Sequence, residues 1–149
     1  MKSHPGANPL SEASAQTLDE GTLTSRVRRG DLFIGSGNCE SREVFSHITS
    51  LWGVLCLIAL RDGTLRFSEL RRKAGGVSEK MLAQTLQRLE ADGLVRRTSY
   101  PVVPPHVEYD LTPLGEEAAA HVAALADWLE VNLPRIRQAA SQRTHPPRS

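Results

Sequence analysis

Much that would place a chain outside the cell, in a membrane or in an enzyme class is missing from these 149 residues. There are only two cysteines, Cys39 and Cys56, far enough apart to suggest neither a disulfide framework nor a zinc pattern. Five histidines, at 4, 47, 106, 121 and 145, are too scattered for a metal site. The opening "MKSHPGANPL" lacks the basic-then-apolar order of a secretory signal. The longest apolar run, Leu51 to Leu60, is about half of what a membrane span needs. A cytoplasmic setting without a membrane partner is the expectation. Also missing are a glycine-rich phosphate loop, a plausible carboxylate pair and a Ser–His or Cys–His arrangement. The chain is therefore expected not to be an enzyme and to hold no cofactor or metal.

An excess of charge of one sign is missing too, the net charge being +1, but the charges are unevenly placed. From Arg66 to Arg97 eight Lys/Arg stand against four Asp/Glu. From Thr112 to Val131 there are four acids and no Lys or Arg, and residues 132–149 hold four arginines and no acid. The basic central block is the informative one for partners.

The length fits one domain with a modest core. Residues 1–38 are rich in Ser, Gly, Ala, Thr and Asn and show neither helical nor strand period, so they predict a disordered tail. Order is expected from Cys39. Val44, Ile48, Leu51, Leu55 and Ile58 recur at helical spacing, with a break near Thr49 and Ser50 that divides them between two helices. "RDGTLRFSEL" supplies a turn, a short extended piece and a helix from about Ser68 to Ala74, ended by Gly75-Gly76.

A helix is predicted over 78–92. Ser78 is its N-cap, Val77 and Leu82 form a hydrophobic staple, and Gly93 closes it. Leu82, Leu86 and Leu89 make its apolar stripe. Lys80, Gln84, Gln87 and Arg88 lie opposite, with Met81 and Thr85 at the edge. Residues 94–111 then alternate as two strands joined at Pro104-Pro105, with Pro101, Pro104 and Pro105 suiting an exposed ribbon. Thr112 and Pro113 open a last helix whose stripe is Leu114, Ala118, Val122, Leu125 and Leu129, with Trp128 beside it, ending at Pro134. Residues 134–149 read as a flexible basic tail.

Helix–turn–helix followed at once by a β-hairpin is a winged helix: mainly α, with a small β wing. A helix of this size fits the major groove of DNA. Lys80 and Arg88 can reach phosphate or guanine, Gln84 suits adenine, and Ser78 with the helix-start N–H groups can hold a phosphate. Arg96 and Arg97 enter the ribbon, one of them facing solvent, and His106 at its turn approaches the minor groove. The candidate DNA-binding set is Ser78, Lys80, Met81, Gln84, Thr85, Arg88, Arg96, Arg97 and His106. The rival is a protein-interaction module, which usually lacks such a basic outward face.

The pieces "RFSELRR", "SEKMLAQTLQRLEADGLVRR" and "PPHVEYDLTPLG" resemble the HxlR-type family of bacterial winged-helix transcription regulators, relatives of the MarR type. The resemblance covers roughly residues 39–131. It implies a regulator, more commonly a repressor, that binds double-stranded DNA as a homodimer, with two recognition helices in successive major grooves. It also implies that helices 40–49 and 113–131 make the dimer contact, so that residues 39–133 form the working domain. Many members carry a cysteine just before the first helix that senses oxidants, electrophiles or aldehydes, and Cys39 in "GNCESREVF" occupies that place. A helix start with Arg42 one turn on favours a thiolate. The family often has proline after this cysteine, whereas here Glu40 follows and opposes thiolate formation, so a plain unreactive cysteine stands beside the sensor reading. A small-molecule effector is the alternative signal. Cys56, inside an apolar run, is expected in the core, as is Trp52, where the family usually has tryptophan.

Overall fold

The computed structural model describes residues 22–30 and 40–144. Cys39 and most of the expected N-terminal tail lie outside these residues. A short helix, α1 (Leu23–Arg29), occurs where no regular element was expected. Thr22 caps it, its hydroxyl accepting from Ser25 N–H, and Gly30 ends it at φ 71°. Arg26, Arg28 and Arg29 fill its last turn, where cations favour the helix dipole. Seven residues are too few for an apolar period to be read. This helix belongs to a separate unit, Met1–Val44, from the body that begins at Phe45.

The next two helices, α2 (Glu40–Thr49) and α3 (Leu51–Ala59), divide where the sequence predicts. Ser50 caps α3 by accepting from Gly53 N–H at 3.1 Å, while its hydroxyl donates to the His47 carbonyl at 2.9 Å. Position 53 has to be glycine, since a Cβ there would lie 2.1 Å from that carbonyl. The chain bends by 69° at this junction. A 3-10 turn (Leu60–Asp62) leads into β1 (Leu65–Arg66), α4 (Phe67–Lys73) and α5 (Glu79–Ala91).

In α5 the local rules hold. Ser78 Oγ accepts from Met81 N–H at 3.1 Å, Val77 and Leu82 are both buried, and Gly93 turns the chain at φ 77°. Leu82, Leu86 and Leu89 enter a core with Cys56 and Leu57 of α3, Leu70 of α4 and Val95, Tyr109 and Leu111 of the sheet. Each fully buried leucine contributes about 1.5–3 kcal/mol of apolar transfer. Trp52 is half-buried against this core. Cys56 is completely buried within it, and burial pushes its thiol up to about 12.

Strands β2 (Val95–Tyr100) and β3 (His106–Leu111) form the expected hairpin, with the three prolines in its connection. The ribbon has a third strand: β1 pairs with β3, so the sheet order is β1-β3-β2. This pairing joins residues some forty positions apart, beyond the reach of local alternation. Val95, Tyr109 and Leu111 face the core. The other face carries the cross-strand neighbours Arg96 and Asp110, Thr98 and Glu108, Tyr100 and His106.

The last helix, α6 (Pro113–Thr144), does not stop at Pro134. Proline removes one backbone donor, but Leu133 before it and most of the run Arg135–Ala140 after it are good helix formers. Its buried side takes only part of the expected stripe, Val122 in the core and Ala118 packed against it. Gly115, Ala119, Val122 and Ala123 pack inward, while Leu114, Leu125, Trp128 and Leu129 are exposed. Small residues let α6 lie close to the body, which turns its large apolar side chains outward.

Candidate nucleic-acid interface

The outward face of α5 consists of Lys80, Gln84, Gln87 and Arg88, all exposed, with Met81 39% exposed beside them. Lys80 and Arg88 make no ion pair among the described residues. Their charge is available to a ligand. Ser78 is exposed at the head of the helix, its hydroxyl already accepting from Met81 N–H while still able to donate. Thr85 departs from its assignment. Its side chain is buried and its hydroxyl donates back to the Met81 carbonyl at 2.7 Å, because the edge of the helical wheel at this position turns toward the core.

The turn before α5 is braced by a residue that no sequence motif singles out. Arg71 donates from Nε to the Val77 carbonyl at 2.9 Å and from Nη1 to Glu79 Oε1 at 3.4 Å. Nothing in "RRK" distinguishes it from Arg72 and Lys73; its role depends on the loop folding back.

On the wing the three named residues part company. Arg96 is exposed but forked onto the Asp110 carboxylate, Nε to Oδ1 at 3.1 Å and Nη2 to Oδ2. That hydrogen bonding, and then the charge of Asp110, raises its pKa further. His106 stacks on Tyr100, ring centroids 4.8 Å apart, and its Nε2 lies 3.4 Å from Glu108 Oε1. Both groups are therefore engaged with acids of β3, which the sequence could not register without knowing the cross-strand pairing. Arg97 points to the opposite side. It lines a cleft of about 600 Å³ with Ala83, Gln87, Glu90 and Ala91 of α5 and Tyr109 of β3. Both arginines are exposed, but only Arg97 makes no ion pair among the described residues.

The structure thus brings Lys80, Met81, Gln84 and Arg88 together on one convex helix face, with Ser78 at its head and Arg97 near its far end. A rigid helix presenting long donors and an amide is suited to the edges of base pairs and the phosphates beside them. No single helix among the described residues is long and apolar enough to cross a membrane.

Known proteins bear on the class of the chain as a whole. Residues 47–137 match the family model described as HxlR-like helix-turn-helix. The HTH-type transcriptional regulator YtfH of Escherichia coli K12 is 59% identical over 126 residues, 85% of this chain and 98% of the relative. A solved structure of a transcriptional regulator, ytfH from Salmonella typhimurium, is 68% identical with a TM-score of 0.65, covering 72% of this chain and 94% of that one. The redox regulator HypR in its reduced form is 33% identical with a TM-score of 0.61, over 66% and 98% of the two chains. These are DNA-binding regulators of transcription rather than enzymes, and the wing behind the second helix of the motif completes the same fold here. The chain belongs to the HxlR-like helix-turn-helix family of transcriptional regulators.

Proposed function

We propose that this regulator acts as a cytoplasmic homodimer, placing one α5 in each of two successive major grooves and repressing transcription until a thiol signal releases it. The observation that carries the DNA-contact assignment is the α5 face, where Lys80 and Arg88 are exposed, make no ion pair among the described residues, and have Gln84 between them. Support for the dimer comes from α6. Trp128 is 57% and Val131 78% exposed, with Leu125 and Leu129 beside them, an apolar surface suited to a second copy. Phe45 on α2 adds to the exposed apolar side chains.

Cys39 is the sensor in this reading. It lies outside the described residues, and the reading rests on its place in the sequence, where the family resemblance puts a sensing cysteine. Cys56 is unsuited to the task, since burial holds its thiol protonated. HypR bears the description redox regulator, which makes an oxidant a reasonable signal to test here.

The test is a titration of the reduced protein against the DNA upstream of its own gene and of its divergent neighbour, repeated after diamide. Oxidation is expected to weaken binding about tenfold or more, within the usual range of coupling between sites. Cys39→Ser is expected to bind as tightly as the parent and to lose this response. A Cys39→Ser protein that still responds puts the sensor elsewhere. Tight binding indifferent to diamide points instead to a small-molecule effector. Absence of salt-sensitive binding to either DNA argues against these operators.

A further inference from the structure

The turn that follows α5, Asp92-Gly93-Leu94, is gripped from two sides. On one, Asp92 Oδ2 meets Nδ1 of His47 at 2.7 Å, and both side chains are largely withdrawn from solvent, at 17% exposure for His47 and 11% for Asp92. On the other, Thr112 donates its hydroxyl to the Gly93 carbonyl at 2.6 Å and its backbone N–H to the Leu94 carbonyl at 3.0 Å. Gly115, in the first turn of α6, presses on that same Leu94 carbonyl so closely that a Cβ would come within 1.9 Å of it. His47 belongs to α2, and Thr112 and Gly115 to the start of α6. These two helices bracket the helix–turn–helix and wing in the chain.

The chemistry at Asp92 is otherwise hard to explain. A carboxylate at the end of a helix opposes the helix dipole, and a cation is the ordinary choice there. His47 supplies the compensating partner from another helix. It is itself held by the α2–α3 junction, where its carbonyl accepts from Ser50 and leaves no room for a side chain at position 53. Gly93 between the two anchors sits at φ 77°, so the turn has a left-handed residue at its centre and a fixed contact on either side. The opposite end of α5 is tied by the exposed side chain of Arg71, a looser attachment.

We infer that the Asp92–Leu94 turn is the joint through which the two bracketing helices set the pose of the recognition helix and wing, with His47, Thr112 and Gly115 as its positioning residues. None of them touches the candidate DNA face. A rearrangement of α2 against α6 reaches α5 and β2 at this joint, so a signal received at the helices alters DNA reading without entering the core. The DNA arm of this inference rests on the proposed function; the mechanical arm does not.

The experiment uses the full chain with His47→Ala, Asp92→Ala, the double variant, and Asp92→Asn, which keeps an acceptor for the imidazole. Affinity for the DNA bound by the parent is measured alongside amide hydrogen exchange. Each alanine variant is expected to weaken DNA binding about tenfold, in line with loss of a hydrogen bond to a charged group. Exchange at Asp92 and Leu94 should rise while Leu57 and Leu86 stay protected. The double variant should be no weaker than the poorer single one, and Asp92→Asn should recover most of the affinity. Additive losses in the double variant overturn the inference. So do alanine variants with parental affinity and parental exchange. If the parent protein binds no DNA, the regulatory proposal is what fails; local exchange at Asp92 and Leu94 then supports the joint by itself, and unchanged exchange removes it.

Discussion

On the outward face of α5, Lys80 and Arg88 stand without an ion pair among the described residues, whereas on the outer face of the wing Arg96 and His106 each meet an acid of β3. The two surfaces use similar side chains to different effect. A cation on α5 can exchange its counterions for phosphate directly. Arg96 has to loosen from Asp110 first, and whatever it gains from DNA is offset by the carboxylate left behind. In the proposed DNA complex α5 supplies the electrostatic affinity, while the wing keeps its charge internally balanced. Arg97, turned to the other side of the sheet, is the wing's exception.

The largest expected effect breaks the helix side of this comparison. Arg88→Ala should weaken operator binding by about 1–3 kcal/mol, and Lys80→Ala should reduce the salt slope by about one if it meets a phosphate. Thermal stability should stay within about 0.5 kcal/mol, because both positions are exposed. Fluorescence anisotropy over a salt series, with melting curves beside it, measures all three quantities. Parental affinity in both variants would move the contact surface off α5.

A smaller effect, of opposite sign, tests the wing. Asp110→Asn frees Arg96 while preserving the shape of the pair, and should tighten DNA binding by about threefold, roughly what one exposed ion pair is worth. Arg96→Ala should weaken it through the acid it uncovers, and the loss should shrink in the Asp110→Asn background. A cycle of the four proteins in one binding assay reads this coupling. Weaker binding by Asp110→Asn would mean that the pair, as a pair, is what the DNA requires.

How far these surfaces could be read in the sequence follows from the range of the forces involved. Ser78, Val77 with Leu82, and Gly93 act within one or two turns, so the ends of α5 and its exposed cations were legible. So was the break at Ser50, because capping is local. Thr85 was not, since the core decides which way the edge of a helix turns. Arg96 and His106 needed the β2–β3 register before their acids could be assigned, and β1 needed a partner some forty residues away. His47 and Asp92 lie 45 positions apart, and the motif that contains Asp92 does not disclose its partner. Pro134 by itself predicts a stop, as proline generally does, but the helix formers on either side carry α6 past it. For α6, helical spacing identified Leu114, Leu125 and Leu129 as apolar without showing that the body would take the small residues and leave the large ones outside.

The smallest predicted effect sharpens the electrostatic claim about the wing without any DNA. Tyr100 has its pKa raised above the ordinary phenol value, first by the charge of Glu108, then by the hydrogen bond to Glu108, with burial and Asp110 adding less. A raised phenol pKa means that this interaction stabilises the fold fully below the unfolded value of about 10 and is lost as pH rises through the higher folded one. In a Tyr109→Phe background Tyr100 is the sole phenol, and its ionisation can be followed by ultraviolet absorbance. Glu108→Gln removes the leading charge, so the midpoint should fall toward the ordinary value. Asp110→Asn should lower it less. An unchanged midpoint in Glu108→Gln would show that acids do not govern this face. His106 would then have to be regarded as available to DNA, and the contrast between helix and wing would rest on the Arg96–Asp110 pair alone.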